Sequence, residues 1–308
     1  MLSRIAESLF WIGRYLERAD DTARILDVQM QVLVEDPGMD ERTSCEQLLS
    51  VMGVEGYSGN PNRWMILDLL AHNPDSPVSI AAALGACRES SRRARETLST
   101  DIWAAINTTY RGLGSARAMR PPDMFAWVRN RSAMISGIAE STMSRDEGWH
   151  FYQLGRNIER VDMTARLMST AALASGPQVA WPTTLRACGA YESFIRAYRG
   201  VEADQQAAEF LLLDRWFPRS IVSALAEAEK ALVRLERSGR RAGFGDEAQR
   251  LLGRARTELE YRPLADIVFD LPFEMERLQR SCAAASDAVT ARYFAESEAY
   301  SWTGGVRL

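Results

Sequence analysis

The chain has 308 residues, of which 46% are hydrophobic and 25% are charged, a composition typical of a globular protein with a sizeable core. The formal net charge of −4 argues against a protein that binds nucleic acid or acidic membranes. With only His72 and His150 as histidines, a multi-histidine metal site is excluded, and we expect no bound metal.

The cysteines are widely spaced, which argues against a disulfide framework and favours reduced thiols in a cytoplasmic protein. They are Cys45, Cys87, Cys188 and Cys282. The early apolar run at residues 9–12 is too short for a signal peptide or a membrane span, because charged residues follow it directly.

Almost every long segment has the hydrophobic period of a helix, so the sequence predicts an all-α protein. The first helix is predicted from Ser3 to Val34, with Pro and Gly ending it at 35–41. Ser76 and Pro77 are predicted to start a later helix, and residues 112–122 carry the strongest loop signal. Other helices are predicted near 43–53, 63–72, 123–143, 145–174, 182–199, 203–214, 218–238, 244–260 and 272–296.

One charged motif occurs twice. GRYLERADDTAR begins at Gly13 and GRNIERVDMTAR begins at Gly155, with eight of the twelve positions identical. Later in each half, a short apolar segment ending in Leu-Asp is followed by Pro-x-Ser-Ile, at 77–80 and again at 218–221. We therefore predict a single all-helical domain over 1–308, built as a bundle of two pseudo-symmetric repeats of about six helices each. The repeats are predicted at 1–143 and 144–296, followed by a flexible tail at 297–308.

On a helix, the repeated polar positions fall on two neighbouring ridges. Asp20 before Arg24 has the favoured orientation for an i,i+4 ion pair, and Arg14–Glu17 is an i,i+3 pair. Arginine occupies every cationic position, which favours bidentate grip of a carboxylate or phosphate. The glycines are unfavourable inside a helix, so we expect a backbone or a ligand to approach them closely.

Two interpretations of the doubled motif remain open, and they do not exclude each other. In the structural one, Glu17 pairs with arginines of the other repeat and Glu159 reciprocates, which joins the repeats. In the functional one, the arginines bind an anion while the acids bind a cation or an amine. The candidate residues of this ligand site or inter-repeat charged seam are Arg14, Glu17, Arg18, Asp20, Arg24, Arg156, Glu159, Arg160, Asp162 and Arg166.

A second arginine row has spacing i, i+4 and i+7 on a predicted helix and would form an anion-binding ridge; it consists of Arg88, Arg92 and Arg95. The interleaved Glu89 and Glu96 favour the other interpretation, a solvated or acid-paired face. The second half has no equally strong row, so the halves differ in a way that folding alone does not require.

The sequence contains no recognisable catalytic motif. Cys188 has no histidine near it in sequence to act as a base, and His150 fits a packing or capping role. Asp214, Asp266 and Asp270 fall in predicted loops, where turn roles explain them as well as Mg²⁺ binding does.

Several segments together resemble the bacterial alpha-E family. They are ERADDTAR and ERVDMTAR within the doubled motif, ARETLSTDIWAAIN (94–107), LRACGAYESF (185–194) and FLLLDRWFPRSI (210–221). The resemblance runs from Leu2 to Phe294 and implies an all-helical domain of unknown function, with Glu17-Arg18 and Glu159-Arg160 as its signature. It also implies genomic association with a circularly permuted ATP-grasp protein and a transglutaminase-like peptidase, and transfers no catalytic residue.

From the residues and this resemblance we expect a non-catalytic partner of an ATP-grasp carboxylate–amine ligase system. It would dock the ligase, or hold an acidic peptide or phosphorylated intermediate on its arginines. We expect no cofactor of its own, with Mg²⁺ or ATP entering only through the ligase. The alternative is an enzyme with a charged cleft between the repeats. Glu17, Asp20, Glu159 and Asp162 would bind Mg²⁺ or act as a base, and the arginines would hold a phosphorylated or carboxylate substrate. A homo-oligomer that assembles through its helix faces is a third possibility.

Overall fold

The computed structural model describes residues 1–35, 40–57, 59–173, 177–199, 204–236 and 246–294. Within these ranges the chain is all-helical, as predicted, with no strand. The helices are α1 (Ser3–Glu35), α2 (Glu41–Val51), α3 (Arg63–Leu67), α4 (Ile80–Arg93), α5 (Thr100–Ala116), α6 (Pro121–Thr142), α7 (Glu147–Leu173), α8 (Pro177–Ala187), α9 (Tyr191–Ala197), α10 (Asp204–Leu213), α11 (Ile221–Leu235), α12 (Glu247–Tyr261), α13 (Leu264–Val268) and α14 (Leu271–Tyr293). A π-helical turn, Asp68–His72, continues α3. The predicted tail at 297–308 lies outside the described residues.

The two longest helices, α1 and α7, pack against each other at the centre of the molecule. Helices α4 and α6 cover α1, while α11 and α14 cover α7. The larger apolar core includes Ile5 and Leu9 of α1 together with Ile158 of α7 and Leu225 of α11. Residues from both sides of position 143 therefore share this core.

Three predicted boundaries are wrong, each for a physical reason. Helix α4 begins at Ile80 and not at the predicted Pro77, because the hydroxyl of Ser79 caps it by accepting a hydrogen bond from the Ala82 amide. The hydroxyl of Ser76 instead donates a hydrogen bond to the carbonyl of Leu69. The predicted loop at 112–122 is mostly helix. A side chain at Gly112 would crowd Trp127, so this glycine serves close packing of α5 on α6 rather than a turn.

The helix predicted over 182–199 is two helices, α8 and α9. Gly189, between them, has a positive φ of 63°, a conformation that favours glycine and ends α8.

None of the helices in the described part of the chain is both long and apolar enough to span a membrane.

Candidate functional site

The doubled motif lies where α1 and α7 cross. A Cβ atom on Gly13 would overlap the carbonyl oxygen of Tyr152, and one on Gly155 would overlap the carbonyl oxygen of Phe10. Each glycine therefore touches the backbone three residues before the other glycine. Contacts advance together along both helices, from Gly13 with Arg156 to Glu17 with Arg160, so the helices run in the same direction. Of the two causes predicted for the glycines, the structure shows backbone approach.

Beside this crossing, each motif supplies a glutamate that accepts hydrogen bonds from two arginines of the other motif. Glu159 accepts from the Nε atoms of Arg14 at 2.7 Å and Arg18 at 2.5 Å. Glu17 accepts from the Nε atoms of Arg156 at 3.0 Å and Arg160 at 2.7 Å. We call these six residues, with Asp20, Arg24, Asp162 and Arg166, the charged seam.

The seam glutamates are buried and ionised. Glu17 is 4% exposed and Glu159 is 1% exposed. Burial alone would raise the pKa of Glu159, but the charges of Arg18 and Arg14 outweigh it and lower the pKa to about 2. Burial likewise opposes ionisation of Glu17, yet Arg160, Arg219 and Arg156 hold its pKa well below the usual range. Neither glutamate is therefore suited to act as a general base at neutral pH.

The i,i+4 pairs of the seam are present, and their arginines also reach across to the other half. Arg24 bonds to Asp20 at 2.9 Å, and Arg166 bonds to Asp162 at 2.8 Å. The Arg24 guanidinium lies on Gly189, which follows α8, while that of Arg166 lies on Gly53, which follows α2. Both glycines have positive φ, and a Cβ atom on either would lie 2.9 Å from the guanidinium, so the missing side chain leaves the arginine its place beside a helix end.

The predicted i,i+3 pair of Arg14 with Glu17 is wrong. Arg14 points to the other helix, where it bonds to Glu159 and, at 3.0 Å, to the hydroxyl of Ser286. Its guanidinium also lies 5.3 Å from the ring of Trp11. A contact across the crossing replaces the pair within the helix because it joins two buried groups.

The two ends of the seam differ because of Arg219, which the sequence analysis did not single out. Arg219 forms ion pairs with Glu17 at 3.1 Å, with Asp20 at 2.5 Å, and with Asp21. Its position in Pro-Arg-Ser-Ile corresponds to Val78 in Pro-Val-Ser-Ile of the first half, and Asp21 corresponds to Met163. Comparing these variable positions would have been a sequence signal for the difference.

Arg219 also bears on the question of a metal. The carboxylates of Glu17, Asp20 and Asp21 lie close enough together to share a cation, and Arg219 pairs with all three. Within the described residues, Glu159 and Asp162 do not join this group. The four acids named in the enzyme alternative therefore do not surround one point, and the chain supplies its own cation to the acidic cluster.

At the other end of the seam, a cavity of about 1350 Å³ opens between α1, α4, α5, α7 and α14. The seam residues that line it are Arg14, Arg18, Asp162 and Arg166. Further out it is lined by three more arginines, by carboxylates and by aromatic rings, among them Arg93, Arg111, Arg117, Asp75, Glu89, Asp287, Trp11, Tyr15 and Tyr110. The seam thus has a closed end, where Arg219 lies, and an open end, which faces this cavity.

The arginine row Arg88, Arg92 and Arg95 does not lie on one helix face, because α4 ends at Arg93. Arg88 bonds to the side chain of Asn107 and lies over Tyr110, while Arg95 lies over Trp103. Arg92 pairs with Glu89 near the surface. The prediction of a single ridge is therefore wrong.

The other residues considered as catalytic or metal-binding candidates lie in packing, turn or helix positions. Cys188 is buried, and burial raises the pKa of its thiol to about 12, which leaves it protonated at neutral pH. His150 is half-buried, and burial together with Arg234 lowers its pKa. The side chain of Asp214 accepts backbone hydrogen bonds from Trp216 and Phe217, a turn role. Asp266 lies in α13 rather than in a loop, and Asp270 directly precedes α14.

Fold and seam define an all-helical protein in which reciprocal glutamate–arginine pairs join the two longest helices. The chain belongs to the Alpha-E family, whose model, described as a predicted alpha-helical domain with a conserved ER motif, matches residues 1–294. The Glu-Arg pairs at 17–18 and 159–160 are the ER dipeptides of the doubled motif.

Three curated proteins are similar to this chain, and all are uncharacterised. One from Mycobacterium bovis is 28% identical over 254 residues, which covers 72% of this chain and 28% of that relative. Proteins from two strains of Mycobacterium tuberculosis match with the same coverage at 28% and 27% identity. The chain thus matches little more than a quarter of the length of these relatives. No solved structure matches the chain.

Proposed function

We propose that this chain is a non-catalytic helical module that holds an anionic ligand in the cavity for an ATP-grasp carboxylate–amine ligase. This proposal rests on the open end of the seam, where two guanidinium groups share one buried glutamate beside a cavity of about 1350 Å³. Because Asp162 is paired with Arg166, two arginines against the carboxylate of Glu159 leave one excess positive charge beside the cavity, which a bound anion would neutralise.

The groups that an enzyme would use are engaged elsewhere, which supports a binding role over a catalytic one. Glu17 and Glu159 each accept bonds from at least two arginines, and the four cysteines are buried. Asp162 is the seam carboxylate that lines the cavity, and Arg166 holds it at 2.8 Å. If Asp162 served an enzyme, the Asp162→Asn variant, which keeps the shape and removes the charge, would abolish turnover, whereas a holding module would keep its ligand.

The choice of partner rests on the family resemblance and on the relatives. Nearly three quarters of each curated relative lies outside the stretch that this chain matches. An Alpha-E segment joined to a much longer chain supports a module that works beside another protein. The ATP-grasp ligase is the first partner we propose, and the transglutaminase-like protein is the second, both in the cytoplasm.

Co-purification with the ATP-grasp protein tests this function. We expect a stable complex and a change in ligase turnover when this chain is added. Arg111→Gln tests the cavity separately from the seam, because Arg111 lines the cavity and is not a seam residue. We expect this variant to reduce, without abolishing, the effect of the chain on ligase turnover. Absence of a complex, together with unchanged ligase turnover, would overturn the proposal.

We also propose that the two halves are pseudo-symmetric repeats, 1–143 and 144–296. The support is the reciprocity of the seam and of the two arginine–glycine contacts. Superposition of an experimental structure on itself should place α1 on α7, α2 on α8, α4 on α11, α5 on α12 and α6 on α14. A superposition that aligns only α1 with α7 would reject the repeats.

A further inference from the structure

The two Pro-x-Ser-Ile segments begin their helices in the same way. The hydroxyl of Ser79 accepts from the Ala82 amide and donates to the carbonyl of Asn73 at 2.5 Å. That of Ser220 accepts from the Ser223 amide and donates to the carbonyl of Asp214. Because both caps are alike, the segments can be compared residue by residue.

The second segment lies on α7, and two side chains of the doubled motif hold its backbone. Arg160 donates from Nη1 to the carbonyl of Pro218 at 3.1 Å, and Thr164 donates to the carbonyl of Arg219 at 3.3 Å. At the closed end of the seam, a stretch of peptide thus satisfies an arginine and a threonine.

The first segment leaves the equivalent groups without such acceptors. Arg18, which corresponds to Arg160, bonds to Glu159 through Nε and Nη2, and its Nη1 has no acceptor among the described residues. Thr22, which corresponds to Thr164, is buried, and its hydroxyl has no partner within the same part of the chain. Arg18 lines the cavity, so its remaining donors lie beside open space.

We propose that the cavity binds a peptide-like ligand through a carboxylate, to which the remaining N–H groups of Arg14 and Arg18 donate hydrogen bonds, much as Arg160 donates to the peptide carbonyl of Pro218. This inference rests on the proposed function and specifies the ligand of that site. The closed end of the seam thus shows, within the chain, the kind of contact that the open end makes with its ligand.

Beside the seam, the charges favour a carboxylate over a cation, because Arg14, Arg18 and Arg166 outnumber the two carboxylates there, those of Glu159 and Asp162. Arg14 and Arg18 share the single carboxylate of Glu159, and Arg14 is packed against Trp11, which shields it from water. Met163 stands where the closed end has Asp21, so the open end lacks one of the acids that hold the Arg219 guanidinium. A carboxylate on a partly desolvated arginine pair forms strong charge-assisted hydrogen bonds.

The rings in the cavity wall suit the remainder of a peptide. Trp11 and Tyr15 are stacked with their centroids 5.3 Å apart, and Tyr110 lines the same cavity. Binding pockets typically combine such apolar surface with a few polar groups that orient the ligand. The site thus has a charged floor and aromatic walls.

Isothermal titration calorimetry with N-acetyl-triglutamate as the probe tests the inference. N-acetyl-triglutamine amide is the matched uncharged peptide, and inorganic phosphate is the non-peptide anion. We expect the acidic peptide to bind at least about tenfold more tightly than either. No binding of the acidic peptide, equal binding of the uncharged peptide, or equally tight binding of phosphate would overturn the inference.

Two variants locate the site. Arg18→Gln should weaken binding about tenfold or more. Arg160→Gln is the matched control, because Arg160 bonds to Glu17 as Arg18 bonds to Glu159 but does not line the cavity. It should leave affinity within about twofold. If Arg18→Gln does not fold, Ala86→Trp is used, because Ala86 is half-buried and lines the cavity, so the larger side chain takes the space of the ligand and leaves the seam residues unchanged. We expect it to abolish binding. Unchanged affinity in the folded variant, or equal losses in Arg18→Gln and Arg160→Gln, would overturn the inference.

Failure of this inference and failure of the proposed function are distinguishable. Peptide binding without a ligase complex would leave the inference standing and reject the ligase partnership. A ligase complex that forms without peptide binding would do the reverse.

Discussion

Gly13 and Gly155 lie at one crossing, and each presents its bare Cα to the backbone carbonyl of the residue three positions before the other. This reciprocity brings α1 and α7 close enough for side chains of one motif to reach the glutamate of the other. The charged seam therefore depends on two glycines that carry no charge.

The crossing predicts that Gly13→Ala is destabilising although alanine is the better helix former. The new methyl group would overlap the carbonyl of Tyr152, so the helices must separate, and we expect a loss of about 1–3 kcal/mol or more in the free energy of unfolding. Urea denaturation measures it. Gly137→Ala is the matched control, because Gly137 lies within α6 with nothing near its added methyl; it should gain about 0.5–1 kcal/mol. Equal behaviour of both variants would contradict the close crossing.

Glu17→Gln tests whether the seam acts as a buried lock. The substitution keeps the shape but leaves Arg156, Arg160 and Arg219 without a shared carboxylate, so we expect a loss of about 3–5 kcal/mol. Thermal melting monitored by circular dichroism measures the change. Glu89→Gln, which breaks a mostly exposed pair with Arg92, should change stability by about 0.5 kcal/mol or less. A melting temperature for Glu17→Gln at or above that of the parent would favour a ligand role for Glu17 instead.

Arg219→Met should destabilise the closed end of the seam by about 3–5 kcal/mol, because three neighbouring carboxylates lose their common cation. At pH 9, where Asp21 of the parent is ionised, adding Asp21→Asn should recover part of the loss, since the amide needs no cation. Chemical denaturation of the single and double variants gives the coupling. Additive effects would show that Arg219 and Asp21 act independently.

The raised pKa of Asp21 predicts that the free energy of unfolding falls as the pH rises towards neutrality. Burial raises the pKa of Asp21 to about 7, with Glu17 and Asp20 adding to the rise and Arg219 opposing it. Between about pH 4 and pH 7 the folded state thus holds a proton that the unfolded state releases, so the free energy of unfolding decreases with pH. We expect a decrease of at least about 1 kcal/mol.

Comparing the parent with Asp21→Asn isolates this effect. The histidines act with the opposite sign, because burial lowers the pKa of His72 and His150, and their contribution cancels in the comparison. Urea titrations from pH 4.5 to pH 8 should show a less negative slope in the variant. Identical slopes would mean that Asp21 titrates near its usual pKa. Below pH 4.5, both proteins should lose stability, because Glu159, whose pKa is lowered to about 2, stays ionised in the folded state while the same group takes up a proton in the unfolded state.

Helical segments were predicted well where one local pattern governs them. The apolar stripe of the first helix predicted Ser3–Val34, and α1 spans Ser3–Glu35. The pattern was misleading where a contact distant in sequence decides. Gly112 belongs to a helix because Trp127 packs against it, and Arg95 leaves the arginine row because α4 ends two residues earlier.

The sequence by itself determined the helical class of this protein, its doubled Glu-Arg motif and the i,i+4 pairs inside each copy, because all of these follow from the period of a helix. Only the tertiary structure decided which end of the seam is closed and which faces a cavity. That difference depends on Arg219, which lies about two hundred residues from Asp20 and Asp21 and meets them through the path of the loop before α11. The change from Val78 in one half to Arg219 in the other is visible in the sequence, but its effect on the seam follows only from the position that the fold gives to Arg219.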